Sequence, residues 1–227
     1  MTQYSRLLFL GTVCLAVASG ATITVQNASF ETANTLDLTC AGQDCVFNIA
    51  EVPGWGTPVN GGSWRPGNSG TFFSFLPDGQ TTAYLNSGVL QQTVSETVQS
   101  GLTYILQVDI GNRKDYEASG VISLKIGDTL IAGTGSTAAE GGWSTYTAIY
   151  KALAGDVGKS ISIELGTVPL TGFGQANFDN VRLSSEILLS GDPEGPVVPP
   201  MPNAVPEPGT VSLIGLGVAA VLWKRRQ

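Results

Sequence analysis

The groups that could do chemistry in this sequence are few in kind: eighteen Asp and Glu, three Cys and no histidine. Without an imidazole, the usual serine and cysteine catalytic arrangements lack their general base. Paired carboxylates remain open, because glycoside hydrolysis needs only a proton donor and a second carboxylate across the scissile bond. Asp109, Asp115, Glu117 and Glu140 stand near candidate loops. They form no motif, and Asn112-Arg113-Lys114-Asp115-Tyr116-Glu117 has the mixed charge of a solvated loop. The expected catalytic set is therefore none and the chain is not expected to be an enzyme. A secreted carbohydrate-active enzyme using paired carboxylates is the alternative.

Binding chemistry has more to work with. Trp55, Trp64 and Trp143 each lie beside glycines, in Pro53-Gly54-Trp55-Gly56, Gly61-Gly62-Ser63-Trp64-Arg65 and Gly141-Gly142-Trp143. Indole faces pack on the C–H faces of sugars while amides and guanidinium bond the hydroxyls, so Trp64, Arg65 and Asn68 form a candidate carbohydrate-binding lip. Trp55 and Trp143 read as core plugs at strand starts. Cys40 and Cys45, with four residues between them, predict a small disulfide loop in an exported chain. Two thiols and no histidine are too few for zinc.

The segments around this middle set its compartment. Arg6, the apolar run Leu7 to Ala18 and the small residues Ser19, Gly20 and Ala21 have the order of a secretory signal peptide, residues 1–21. Cleavage after Ala18 and after Ala21 both fit, and either discards Cys14. Residues 186–204 carry five prolines and read as an extended Pro-rich linker. Residues 205–227 begin with Val205-Pro206-Glu207-Pro208, continue through an uncharged run from Thr210 to Trp223 and end in Lys224, Arg225 and Arg226. As a helix that run spans about 20 Å, short of the roughly 30 Å bilayer core, so it holds a membrane only transiently. The basic cluster would stop on the cytoplasmic side. Without the terminal segments the net charge is about −10, which argues against nucleic-acid binding.

This tail resembles the PEP-CTERM sorting signal of Gram-negative bacteria. The resemblance implies processing by an exosortase at the inner membrane, and a protein exported to the cell surface or extracellular space.

Between the termini, residues 22–185 alternate with period two. Tyr104, Leu106, Val108 and Ile110 share one face, and Val121 to Ile126, Thr129 to Ala132, Ser144 to Tyr150, Ser160 to Leu165 and Phe178 to Leu183 repeat the pattern. Ile126-Gly127-Asp128-Thr129 predicts a two-residue hairpin, and long polar loops are expected around Thr35 to Ala50, Asn60 to Gly70 and Thr134 to Gly142. The fold class is all-β, an antiparallel β-sandwich, with a signal peptide before it and a short hydrophobic helix after it.

The opening Asn27-Ala28-Ser29-Phe30-Glu31 and closing Phe178-Asp179-Asn180-Val181-Arg182-Leu183 resemble the first and last strands of galactose-binding-like jelly rolls, which include many carbohydrate-binding modules. Gly88 to Val94 followed by Gly101 to Leu106 is similar to their paired central strands. The resemblance implies a structural calcium ion held by Glu31, Asp179 and backbone carbonyls where the first and last strands meet. The expected function is a non-catalytic surface or matrix protein associated with exopolysaccharide or another glycan.

Overall fold

The computed structural model describes residues 21–41, 43–168 and 174–187. Residues 1–20 of the expected signal peptide, the sorting signal, its hydrophobic run and the linker from residue 188 onward lie outside the described residues. The strands are β1 (Ala21–Ile23), β2 (Leu38–Thr39), β3 (Val46–Phe47), β4 (Asn60–Arg65), β5 (Thr82–Ser87), β6 (Val89–Thr97) and β7 (Leu102–Gly111). After them come β8 (Glu117–Ala118), β9 (Gly120–Ile126), β10 (Thr129–Ala132), β11 (Trp143–Lys151), β12 (Ser160–Thr167) and β13 (Gly174–Ile187).

Two sheets form the sandwich of a jelly roll. The larger runs β11-β7-β13-β5-β4-β3-β2, with β1 and β8 also on β13, and the smaller runs β10-β9-β12-β6. Pairing is antiparallel except for the short β8–β13 contact. The chain ends of the sandwich meet, Ile23 opposite Leu183. β13 extends to Ile187, two residues past the boundary expected from composition, and pairs with Leu102 there.

Period two explains why these segments are strands. One face each of β6, β7, β9 and β12 points inward, placing Leu90, Val94, Leu106, Val108, Ile122, Leu124, Ile161, Ile163 and Leu165 in one core. A fully buried Leu or Ile side chain contributes about 1.5–3 kcal/mol by leaving water. The predicted hairpin is present: Ile126 pairs with Thr129, and Gly127 has φ +56°, a conformation that favours a residue without Cβ.

The structure corrects two expected loops: the span from Thr35 to Ala50 carries the short paired strands β2 and β3, and the next carries β4. Residues 60–65 of the span expected as the Asn60 to Gly70 loop form β4, because their glycines serve close backbone approach. A Cβ on Gly61 would lie 2.3 Å from the Tyr84 carbonyl oxygen, and one on Gly62 the same distance from that of Asn48. The adjacent Ser63 N–H donates to Asn48 Oδ1 at 2.9 Å. Loop-like composition here marks a strand squeezed between neighbours.

Candidate functional site

A second apolar cluster lies apart from the main core: Cys45, Trp64, Phe72, Phe73 and Tyr84, with Cys40, Phe47, Leu76 and Trp143 packed on it. β4 delivers Trp64 and β5 delivers Tyr84, while Phe72 and Phe73 come from the loop between those strands. Trp64 meets Phe72 edge-on at 5.0 Å and Phe73 at 5.8 Å. Beside this cluster opens a cavity of about 350 Å³. Phe47, Trp64, Phe72 and Tyr84 give it an aromatic wall, and Asn86, Arg113, Asp115 and Gln175 give it a polar side. The segment Cys40–Cys45 closes another side, tied by a disulfide with its Cα atoms 5.5 Å apart.

Arg113 is the charged centre of the cavity and is only 9% exposed. Its guanidinium carbon lies 4.5 Å from the Trp64 ring, 4.7 Å from Phe72 and 4.6 Å from Tyr116, a set of cation–π contacts. Nε and Nη2 donate to the two Asp115 carboxylate oxygens at 2.8 and 2.6 Å, and Nη1 donates to Gln175 Oε1 at 2.6 Å. Gln175 in turn donates to Asn86 Oδ1 at 2.9 Å. Tyr84 has its hydroxyl pushed up to about 12 by burial, and that hydroxyl donates to the Asn48 carbonyl at 2.8 Å. It is therefore a fixed neutral donor at physiological pH.

The residues singled out in the sequence fall in different places. Trp64 is buried against the aromatic cluster, whereas Arg65 and Asn68 line a separate depression of about 290 Å³ with Phe75 and Gln80. The three are not gathered into one lip, because alternation along β4 sends consecutive side chains to opposite faces. Trp55 is a core plug, 5.5 Å from Phe30 and donating its indole N–H to the Asn27 carbonyl. Trp143 packs at 4.7 Å from Phe73 and donates to the Phe75 carbonyl. Of the four acids considered for glycoside hydrolysis, Asp115 alone lines the cavity. Asp109 is nearly buried; burial raises its carboxyl, but bonds from Arg182, Thr145 and Asn180 outweigh this and hold it below the usual range. It is a structural anion. The reading of residues 112–117 as a solvated loop fails at Arg113, which is nearly buried against Trp64, Phe72 and Gln175 from outside the loop as well as Asp115 and Tyr116 within it.

Glu31 and Asp179 do converge. Asn27 and Phe30 take positive φ, 48° and 59°, and Asn27 fixes the turn by donating to the Thr32 and Pro53 carbonyls and accepting from the Thr32 N–H. The turn aims Glu31 at the loop before β5, where its Oε1 accepts the N–H groups of Gln80 at 2.8 Å and Thr81 at 2.6 Å. A Cβ on Gly79 would sit 2.3 Å from the Glu31 carboxyl. Asp179 is fully buried and accepts N–H bonds from Asp78 at 3.1 Å and Asn180 at 2.7 Å. Burial pushes its carboxyl up to about 8, partly offset by those two bonds and reinforced by the charges of Asp78 and Glu31. No group of three Asp, Glu, Cys or His side chains close enough to hold a metal occurs among the described residues. The donors present are nonetheless all oxygens around a buried carboxyl that has N–H bonds but no ion pair among the described residues, a set that fits a hard cation completed by carbonyls or water.

Comparison with known proteins identifies the lineage. Residues 21–184 match the HpiC1-like family, described as HpiC1 cyclase, and residues 204–226 match the PEP-CTERM protein-sorting motif. That motif marks the chain for export through the membrane to the cell surface or extracellular space. An apo-form cyclase from Fischerella sp. is 26% identical with a TM-score of 0.61, over 74% of this chain and 98% of that one. A Stig cyclase, Fisc from Fischerella sp. TAU, in complex with (3Z)-3-(1-methyl-2-pyrrolidinylidene)-3H-indole, is 25% identical with a TM-score of 0.60, over 74% and 99%. No curated protein matches the chain by sequence. These findings overturn the expectation of a non-catalytic domain. Its premise was the lack of histidine and of grouped carboxylates, but ring closure within one molecule can be driven by holding that molecule folded away from water, which needs neither. Matched from its first strand nearly to the end of its last, the chain belongs to the HpiC1-like cyclase family.

Proposed function

We propose that the domain is an exported cyclase whose aromatic cavity binds a small indole-like molecule and holds it folded for intramolecular ring closure. The observation that carries this reading is the 350 Å³ cavity walled by Phe47, Trp64, Phe72 and Tyr84. Its size suits a fused aromatic ring with a short side chain. Family membership and the indole in the Fisc complex support the same reading. The aromatic wall excludes water and restricts the ligand to few conformations, the main source of acceleration in a unimolecular closure. Gln175, Asn86 and Arg113 supply the donors and acceptors that orient it.

Titrating the full chain with the indole of the Fisc complex tests this reading. Saturable binding, weakened at least about tenfold by Phe47→Ala with the fold intact, is the expected result. No binding by a folded protein would sink it.

A calcium ion at Glu31 and Asp179 belongs to the proposal as a structural staple between the first and last strands. An exosortase acting at Pro206-Glu207-Pro208 would release or re-attach the mature domain. A second reading, association with exopolysaccharide, is favoured by the depression beside Arg65 and Asn68, where Phe75 is 58% exposed. A glycan array should then give signals lost on Phe75→Ala and kept on Phe47→Ala.

A further inference from the structure

The polar side of the cavity is a preformed anion fork. Besides Asp115, Arg113 is held by the rings of Trp64, Phe72 and Tyr116 and by Gln175, so it keeps these contacts when Asp115 turns away. The Asp115 side chain, in contrast, is 41% exposed against 9% for Arg113. It sits two residues along the same loop and can swing into water without disturbing the core. Three of the five guanidinium N–H groups are engaged, two of them by Asp115.

A nearly buried guanidinium presents a planar fork matched to one chemical group, a carboxylate. Asp115 fills that fork from within the chain, as a tethered competitor would. We propose that the cavity takes an aromatic carboxylate, whose acid group occupies the Arg113 fork in place of Asp115 while its ring lies against Phe47 and Tyr84. The charge balances: the ligand brings one negative charge to Arg113, and Asp115 takes its own into solvent. A neutral ligand has no such exchange to make and meets the aromatic wall and the polar groups without displacing Asp115. This inference rests on the cavity being the ligand site and specifies the class of molecule that enters it.

The tether makes the test sign-specific. A side chain two residues away competes at high effective concentration, so removing its charge frees the fork. Calorimetry on the full chain compares indole-3-acetate with its neutral isostere indole-3-acetamide. The acetate is expected to bind about tenfold tighter than the amide. Asp115→Asn is expected to raise acetate affinity about tenfold again while moving the amide by less than about twofold. Arg113→Lys, which keeps the charge and loses the fork, should erase most of the preference. Circular dichroism checks that each variant is folded; if Arg113→Lys is not, the acetate-to-amide ratio and Asp115→Asn decide alone. Equal binding of acetate and amide, or a fall in acetate affinity in Asp115→Asn, overturns the carboxylate proposal and leaves the cavity reading standing. Absence of binding by both probes, in both the native chain and Asp115→Asn, removes the two together.

Discussion

The main core and the aromatic cluster are built by different rules. Between the sheets, aliphatic side chains such as Leu106, Leu124, Ile163 and Leu165 come from strands that alternate strictly and are buried completely. Beside β4 and β5, the second cluster takes Trp64 from a Gly-rich strand, Phe72 and Phe73 from a loop and Cys45 from a stapled turn. The few polar atoms of the first, such as the Trp55 indole N–H and the Tyr104 hydroxyl, are bonded to backbone at its edges. The second borders a cavity and packs its rings around a buried cation. On the proposed function, the domain's stability resides mainly in the one and its binding chemistry in the other.

The largest effect that would test this division is in the main core. Leu165→Ala deletes a side chain with no exposure at all, so it should cost about 2–5 kcal/mol, the range for buried Leu truncations. Denaturant unfolding measures the loss, and ligand affinity per folded molecule should stay as it was. A drop in affinity without unfolding would show that the two clusters are coupled through the β-sheet.

The same division governs what the sequence reveals. β7, β9, β11 and β12 are legible because alternation records which face is buried, and Gly127-Asp128 is legible because the turn needs positive φ at its first position. β4 is not, since Gly61 and Gly62 are there for the backbone of neighbouring strands and leave no side-chain pattern. Glu31 and Asp179 are readable through the motifs that bend the backbone around them. Arg113 is not: its local sequence is charged and loop-like, and of the rings around it only Tyr116 is local, while Trp64 and Phe72 belong to β4 and the segment after it. Only Trp64 beside glycines and the Phe72-Phe73 pair hint at a cluster, and nothing local ties them to Arg113. The absence of histidine was informative about triads and uninformative about ring closure.

The next effect concerns the acids that join the strands at the edge of the core. Asp179 in the folded chain titrates at about 8, far above the roughly 3.9 of an unfolded aspartate. Between those values the folded state holds a proton that the unfolded state has released, so stability is greatest at low pH and falls as pH rises toward 8. With chelator present, the loss from pH 5 to pH 8 should be on the order of 3 kcal/mol, and melting temperature follows it. In the proposed site calcium would replace the proton as the partner of the carboxylate, so added calcium should flatten the decline and raise the melting temperature most at the alkaline end. Asp179→Asn should abolish both the slope and the calcium response. A steep slope in chelator that calcium leaves unchanged would mean that the carboxyl cluster is no cation site.

The disulfide gives the smallest expected change in stability and the sharpest contrast in kind. Cys40 and Cys45 close a loop so short that removing the bond, in a Cys40→Ser/Cys45→Ser double variant, should cost about 2 kcal/mol through the freed unfolded chain. That is no more than the mildest core truncation. Yet Cys40, Ala41 and Gln43 are a wall of the cavity, and Cys45 packs among its aromatic rings. The loop keeps its own backbone bonds, Cys40 N–H to the Cys45 carbonyl at 3.2 Å and Gln43 N–H to the Cys40 carbonyl at 3.0 Å, which hold it less firmly than the covalent tie. Loosening that wall should weaken indole binding severalfold at a temperature where the protein is fully folded, the reverse of the Leu165→Ala outcome. If both variants instead lowered stability and affinity in proportion, the two clusters would be one cooperative unit, and the cavity would owe its shape to the whole sandwich rather than to the residues that line it.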